Sequence, residues 1–63
     1  MDIRLEDQGN GRYRIVDREA DRQLGIAVSQ RDGSFGYSLF GTPHMGAEAS
    51  IDKVQKAVER HLG

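Results

Sequence analysis

Cysteine is absent from the 63 residues of this chain, so neither a disulfide nor a thiolate metal cluster can supplement its core. That absence points to a reducing compartment. Nothing in the chain approaches the roughly 20 consecutive apolar residues of a membrane-spanning helix. The opening Met1-Asp2-Ile3-Arg4 lacks the basic-then-apolar layout of a secretion signal. A soluble, cytoplasmic protein with no membrane partner is therefore expected. A charge excess of either sign is also missing, since ten acidic residues face nine basic ones for a net charge of −1. Nucleic-acid binders usually carry a clear basic excess and nucleic-acid mimics an acidic one, so whole-chain charge favours neither.

Catalytic groupings are equally scarce. His44 and His61 are the only imidazoles; with Glu48 or other nearby acids they fall short of a metal-ligand set. His61 sits where a helix C-terminus favours a cation. No serine occupies a G-x-S-x-G elbow, and Asp32-Gly33-Ser34-Phe35-Gly36 reads as a hairpin turn entering a strand. The eight glycines form no phosphate loop, because Gly46-Ala47-Glu48-Ala49-Ser50 precedes the helix without the P-loop lysine. With no nucleophile, base and orienting group in one pattern, the chain is expected not to be an enzyme and to need no cofactor or metal.

What the chain does have is alternation. Ile3 and Leu5, then Tyr13 and Ile15, then Leu24, Ile26 and Val28, then Phe35, Tyr37 and Leu39 recur at period two, the spacing of strands with one buried face. Gly9-Asn10-Gly11 marks a tight hairpin turn, residues 19–22 form a polar connection, and Asp32-Gly33 marks a second turn. Gly41-Thr42-Pro43-His44-Met45-Gly46 breaks the pattern, since proline lacks the donor a strand needs. A helix follows. Ser50 is its expected N-cap, Asp52 suits the positive end of its dipole, and Gly63 its expected stop. Ile51, Val54, Val58 and Leu62 make one apolar stripe. The fold class is α+β: a four-stranded, or three-stranded, antiparallel meander with one C-terminal helix packed on one face. It forms one small ββββα domain over residues 1–63, with Ile26 and Val58 both in the core. At this length a chain buries only about 60 % of its unfolded surface, so the core is thin.

If that alternation faces the core, the opposite sheet face carries Arg4, Arg12, Arg14 and Val16 beside Ser29, Ser38 and Phe40. Arginine forks grip carboxylate or phosphate, small residues let a backbone lie close, and Phe40 offers an apolar contact. The bland alternative is an ordinary solvated sheet face. Lys53, Lys56 and Arg60 form a secondary basic ridge opposite the helix stripe, a pattern that surface helices commonly show. Residues 12–62 resemble in outline the three-strand-and-helix arm-binding domains of phage integrases and the plant AP2 domains, whose sheet enters DNA. Those domains carry a denser cationic and aromatic set than Arg12 and Arg14. The last two strands and helix are similar in order to the double-stranded-RNA-binding domain, but Ser50-Ile51-Asp52-Lys53 lacks its lysine cluster. Membership of none of these is assigned.

By elimination and size, the expected function is a small non-catalytic protein-binding module. It would be a regulator or inhibitor that occludes a partner through its exposed sheet face or an edge strand, of the kind that phages or mobile elements encode. The rival is a nucleic-acid-binding domain using Arg12 and Arg14. A homodimer burying Val16 and Phe40 against a second copy would enlarge the thin core.

Overall fold

The computed structural model describes residues 2–62; the helix stop expected at Gly63 lies outside the described residues. The elements are β1 (Ile3–Gly9), β2 (Arg12–Asp17), β3 (Arg22–Ser29), β4 (Phe35–Leu39), β5 (Met45–Glu48) and α1 (Ile51–Leu62). They form an antiparallel meander in the order β1-β2-β3-β4-β5, followed by one helix. The α+β architecture agrees with the sequence, but the sheet has five strands rather than four. The additional β5 is Met-Gly-Ala-Glu, which holds no β-branched or aromatic residue. Its strand conformation comes from pairing with β4, a case of tertiary context outweighing weak intrinsic propensity.

Local chemistry explains the turns. Asn10 and Gly11 have φ of 56° and 73°, the positive values that a two-residue type I′ hairpin requires at both central positions. Just before them, Gln8 is an extra residue, because Asp7 pairs with Tyr13 and Gly9 with Arg12. At the β2–β3 turn the Asp17 carboxylate accepts from the amides of Glu19 and Ala20 at 3.1 and 3.5 Å and of Asp2 at 3.4 Å. Asp17 is buried, and these donors offset the cost of taking its charge out of water. At the helix start the Ser50 hydroxyl accepts from the Lys53 amide at 3.3 Å, the N-cap geometry expected for serine.

One irregularity decides which side chains form the core. Ile15 pairs with Gly25 but Val16 pairs with Gln23, so Leu24 is an extra residue on β3. An inserted residue shifts the side-chain phase of everything beyond it. Leu24 packs toward the core and Ala27 is fully buried, while Ile26 and Val28 are 41 % and 39 % exposed on the other face. The expected core position of Ile26 is therefore overturned. Gly25 shows the physical cause: a Cβ there would collide with the Ser38 carbonyl oxygen and stand 3.0 Å from Leu39 Cα. The large side chains come instead from the neighbouring strands. Ile15, Tyr37 and Leu39 converge over Gly25 and Ala27 and meet Ile3, Val54 and Val58. Val58 is a core residue as expected.

The helix backbone comes closest to β1 at one sheet edge and to β4 and β5 at the other, not to the central strands. The sheet is therefore concave toward α1, and its convex face is left uncovered. Among the described residues, no helix is long and apolar enough to cross a membrane.

Candidate functional site

Strand register lays out the convex face row by row, because residues directly opposite in an antiparallel pair share a face. Glu6, Arg14, Ile26, Ser38 and Met45 form one row, and Arg12, Val28, Gly36 and Ala47 form the next. The face is thus divided. Charged residues stand on β1 and β2, while small and apolar residues stand on β3, β4 and β5.

The charged half is largely paired within itself. Arg4 Nε lies 3.0 Å from Asp2 Oδ1, and Arg14 lies 3.7 Å from Glu6. Both pairs are well exposed, so each contributes little stability, but each leaves an arginine less free for an outside anion. Arg12 makes no ion pair among the described residues. Next to them, Arg18 and Arg22 border the same half, interspersed with Asp17 and Asp21.

The apolar half centres on a ridge. Ile26 and Val28 stand along β3, with Met45 on β5 at 74 % exposure and Phe40, just past β4, at 55 %. A shallow groove lies on each side of the ridge. One, of about 530 Å³, runs toward β2 between Gln8, Arg12 and Arg14; the other, of about 260 Å³, is floored by Gly36 and Ser38 and walled by Met45 and Gln30. Glycine and serine at the floor let an incoming group approach the backbone closely.

Several residues selected from sequence take different places. Arg4, Arg12, Arg14 and Ser38 do lie on the uncovered face. Val16 shares it but is only 6 % exposed, sunk within a polar hollow rimmed by Glu6, Arg14, Arg18 and Arg22. It is already buried in one copy and cannot anchor a homodimer. Ser29 pairs with Phe35 and so belongs to the concave side, a consequence of the same β3 phase shift. Phe40 is exposed as expected, and its amide donates to the Leu24 carbonyl at 2.7 Å. Alternation alone puts Ile26 and Val28 in the core; the sequence signal for their outward turn is Gly25, since glycine inside a strand marks a bulge or close backbone approach, whereas nothing local marks Met45 on β5.

The two histidines, distant in sequence, meet at the helix end. The His44 and His61 rings stack at 3.8 Å with 13° between planes, and the Tyr37 hydroxyl lies 3.3 Å from His44 Nε2. This cluster ties the segment before β5 to the last turn of α1. No group of three or more His, Cys, Asp or Glu able to hold a metal ion occurs among the described residues. Lys53, Lys56 and Arg60 are exposed, and with Glu48 they line a shallow cleft between α1 and β5.

Comparison with models of protein families, with characterised proteins and with solved structures finds no match to this chain.

Proposed function

We propose that this protein is a non-catalytic protein-binding module that docks a partner on its convex sheet face, acting as a regulator or inhibitor by occlusion. One observation carries the reading: the extra residue in β3 turns Ile26 and Val28 outward, onto the face that also carries exposed Met45. Scattered surface apolar residues are ordinary, but a contiguous apolar strip flanked by polar side chains is the composition of a protein interface. Arg12 at the strip's margin fits the enrichment of arginine at such interfaces. The nucleic-acid alternative draws less support, because Glu6 stands 3.7 Å from Arg14 and Asp17 and Asp21 are interspersed with Arg18 and Arg22, so the arginines form no uninterrupted cationic surface.

The test compares two double variants in affinity capture from the native source. Ile26→Ser with Val28→Ser is expected to abolish capture of any specific partner, whereas Arg12→Ala with Arg14→Ala is expected to weaken it less. The opposite ranking, or capture untouched by the first pair, sinks the proposal.

A further inference from the structure

The free edge of β5 carries an inference that goes beyond the partner reading and does not depend on it. The Leu39 amide donates to the His44 carbonyl at 3.2 Å, so residues 39 and 44 form a hydrogen-bonded pair of the β4–β5 ladder. Hydrogen-bonded and non-hydrogen-bonded pairs alternate along an antiparallel ladder. The same register therefore directs the backbone groups of His44, Gly46 and Glu48 toward β4. The N–H and C=O groups of Met45 and Ala47 point away, to the open edge.

The two sheet edges differ in protection. On β1 the exposed edge is flanked by Asp2, Arg4, Glu6 and Asp7, and it ends in the irregularity at Gln8; charges and bulges of this kind discourage strand addition. On β5 the three residues Met45, Gly46 and Ala47 carry neither charge nor proline.

We infer that β5 pairs with β5 of a second copy, antiparallel about a two-fold axis at Gly46. The register follows from the hydrogen-bond phase. Centring on Gly46 sets Met45 opposite the second copy's Ala47, and the reverse, satisfying all four outward groups of each strand. Shifting toward Pro43 removes a donor; shifting the other way engages residues beyond the end of β5. In the Gly46-centred register each His44 stands across from the second copy's Glu48 on the concave side, an imidazole beside a carboxylate, while the glycines at the axis have no side chains to clash. On the convex side, Met45 covers the second copy's Ala47, and the strip runs on unbroken from Ile26 through Ser38 and Met45 to the second copy's Ala47, Gly36 and Val28. The basic ridge Lys53, Lys56 and Arg60 lies on the β5 side of the helix and faces its counterpart, so association is measured at about 0.15 M salt, where the screening length is about 8 Å.

The experiment is sedimentation equilibrium of the full chain from about ten micromolar to about one millimolar, combined with amide hydrogen exchange. Wild type is expected to form a dimer, with exchange at Met45 and Ala47 slowing as concentration rises. Ala47→Pro removes an outward N–H without touching the β4 ladder and deletes two of the four intermolecular bonds, raising the dimer dissociation constant at least about tenfold. Met45→Lys places an edge charge and is expected to do the same. An unchanged circular dichroism spectrum for either variant shows that the monomer fold survives. Three results each overturn the inference: wild type monomeric at the highest concentration, dimers unaffected by both variants, or open-ended polymers in place of dimers.

Discussion

Gly25 is the residue on which the sheet turns. Any side chain there meets the β4 backbone at Ser38 and Leu39 rather than a movable side chain, and backbone cannot yield without breaking the ladder. Gly25→Ala is therefore expected to cost about 2 kcal/mol or more, read as a fall in melting temperature, because overpacking a close strand pair forces backbone shifts. Gly33→Ala meets no atom within 4 Å, but its φ is 88°. Only the strain of a left-handed alanine opposes it, about 1 kcal/mol. A smaller loss at Gly25 than at Gly33 would contradict the described approach of β3 to β4. At the neighbouring turn the Ser34 hydroxyl lies 2.6 Å from Asp32 Oδ1 and the Ser34 amide donates to the same oxygen at 3.0 Å. These bonds hold the Asp32 carboxyl below its ordinary value. A lowered folded-state value means the carboxylate form favours the fold above the unfolded-state value, and the benefit disappears as pH falls through the lower, folded one. Since Asp32 is fully exposed, the effect is local. A carboxyl NMR titration should place its midpoint below that of unstructured aspartate, and Ser34→Ala should move it back up.

Among elements, the helix and β3 make opposite demands on substitution. Val58 is fully buried where α1 meets the sheet, so Val58→Asp buries an unpaired carboxylate. A small domain holds only a few kcal/mol of net stability, and this change should largely unfold it. Lys53→Ala, on the solvent side of the same helix, should stay within about 0.5 kcal/mol. Ile26→Ser should cost only about 1 kcal/mol, as a surface strand position does, even though period-two alternation places Ile26 in the core. Thermal melts of the three variants rank these costs; an Ile26→Ser loss as large as that of Val58→Asp would restore the simple alternation and remove the convex apolar strip. Four strands, both hairpin turns and the capped helix are legible in sequence because each rests on local chemistry: alternation, Asn10-Gly11, Asp32-Gly33 and Ser50. β5 is not legible, since only the ladder to β4 makes a strand of Met-Gly-Ala-Glu. The candidate site is half legible. Its arginines follow from β1 and β2, whose alternation continues through Arg14, whereas its apolar ridge lies beyond the extra residue of β3.

At the scale of the whole molecule, near-neutral charge and carboxylates interspersed among the arginines set the expected response to nucleic acid. Each phosphate that a protein neutralises releases counterions, so such binding is strongest at low salt and falls steeply as salt is added. A fluorescence-polarisation titration with mixed DNA and RNA at about 50 mM salt is expected to show no binding. Salt-sensitive binding lost in Arg12→Ala with Arg14→Ala would replace the protein-docking reading. The sequence by itself determined the first four strands and the helix, the antiparallel order of those strands, and the face of α1 that is buried, because those depend on periodicity and on residues adjacent in the chain. Only the tertiary structure decided the side-chain phase of β3, the fifth strand and the meeting of His44 with His61. Each depends on backbones distant in sequence approaching one another: β4 against Gly25 leaves no room for a side chain, and a slip of one residue there exchanges the core face of β3 for the solvent face.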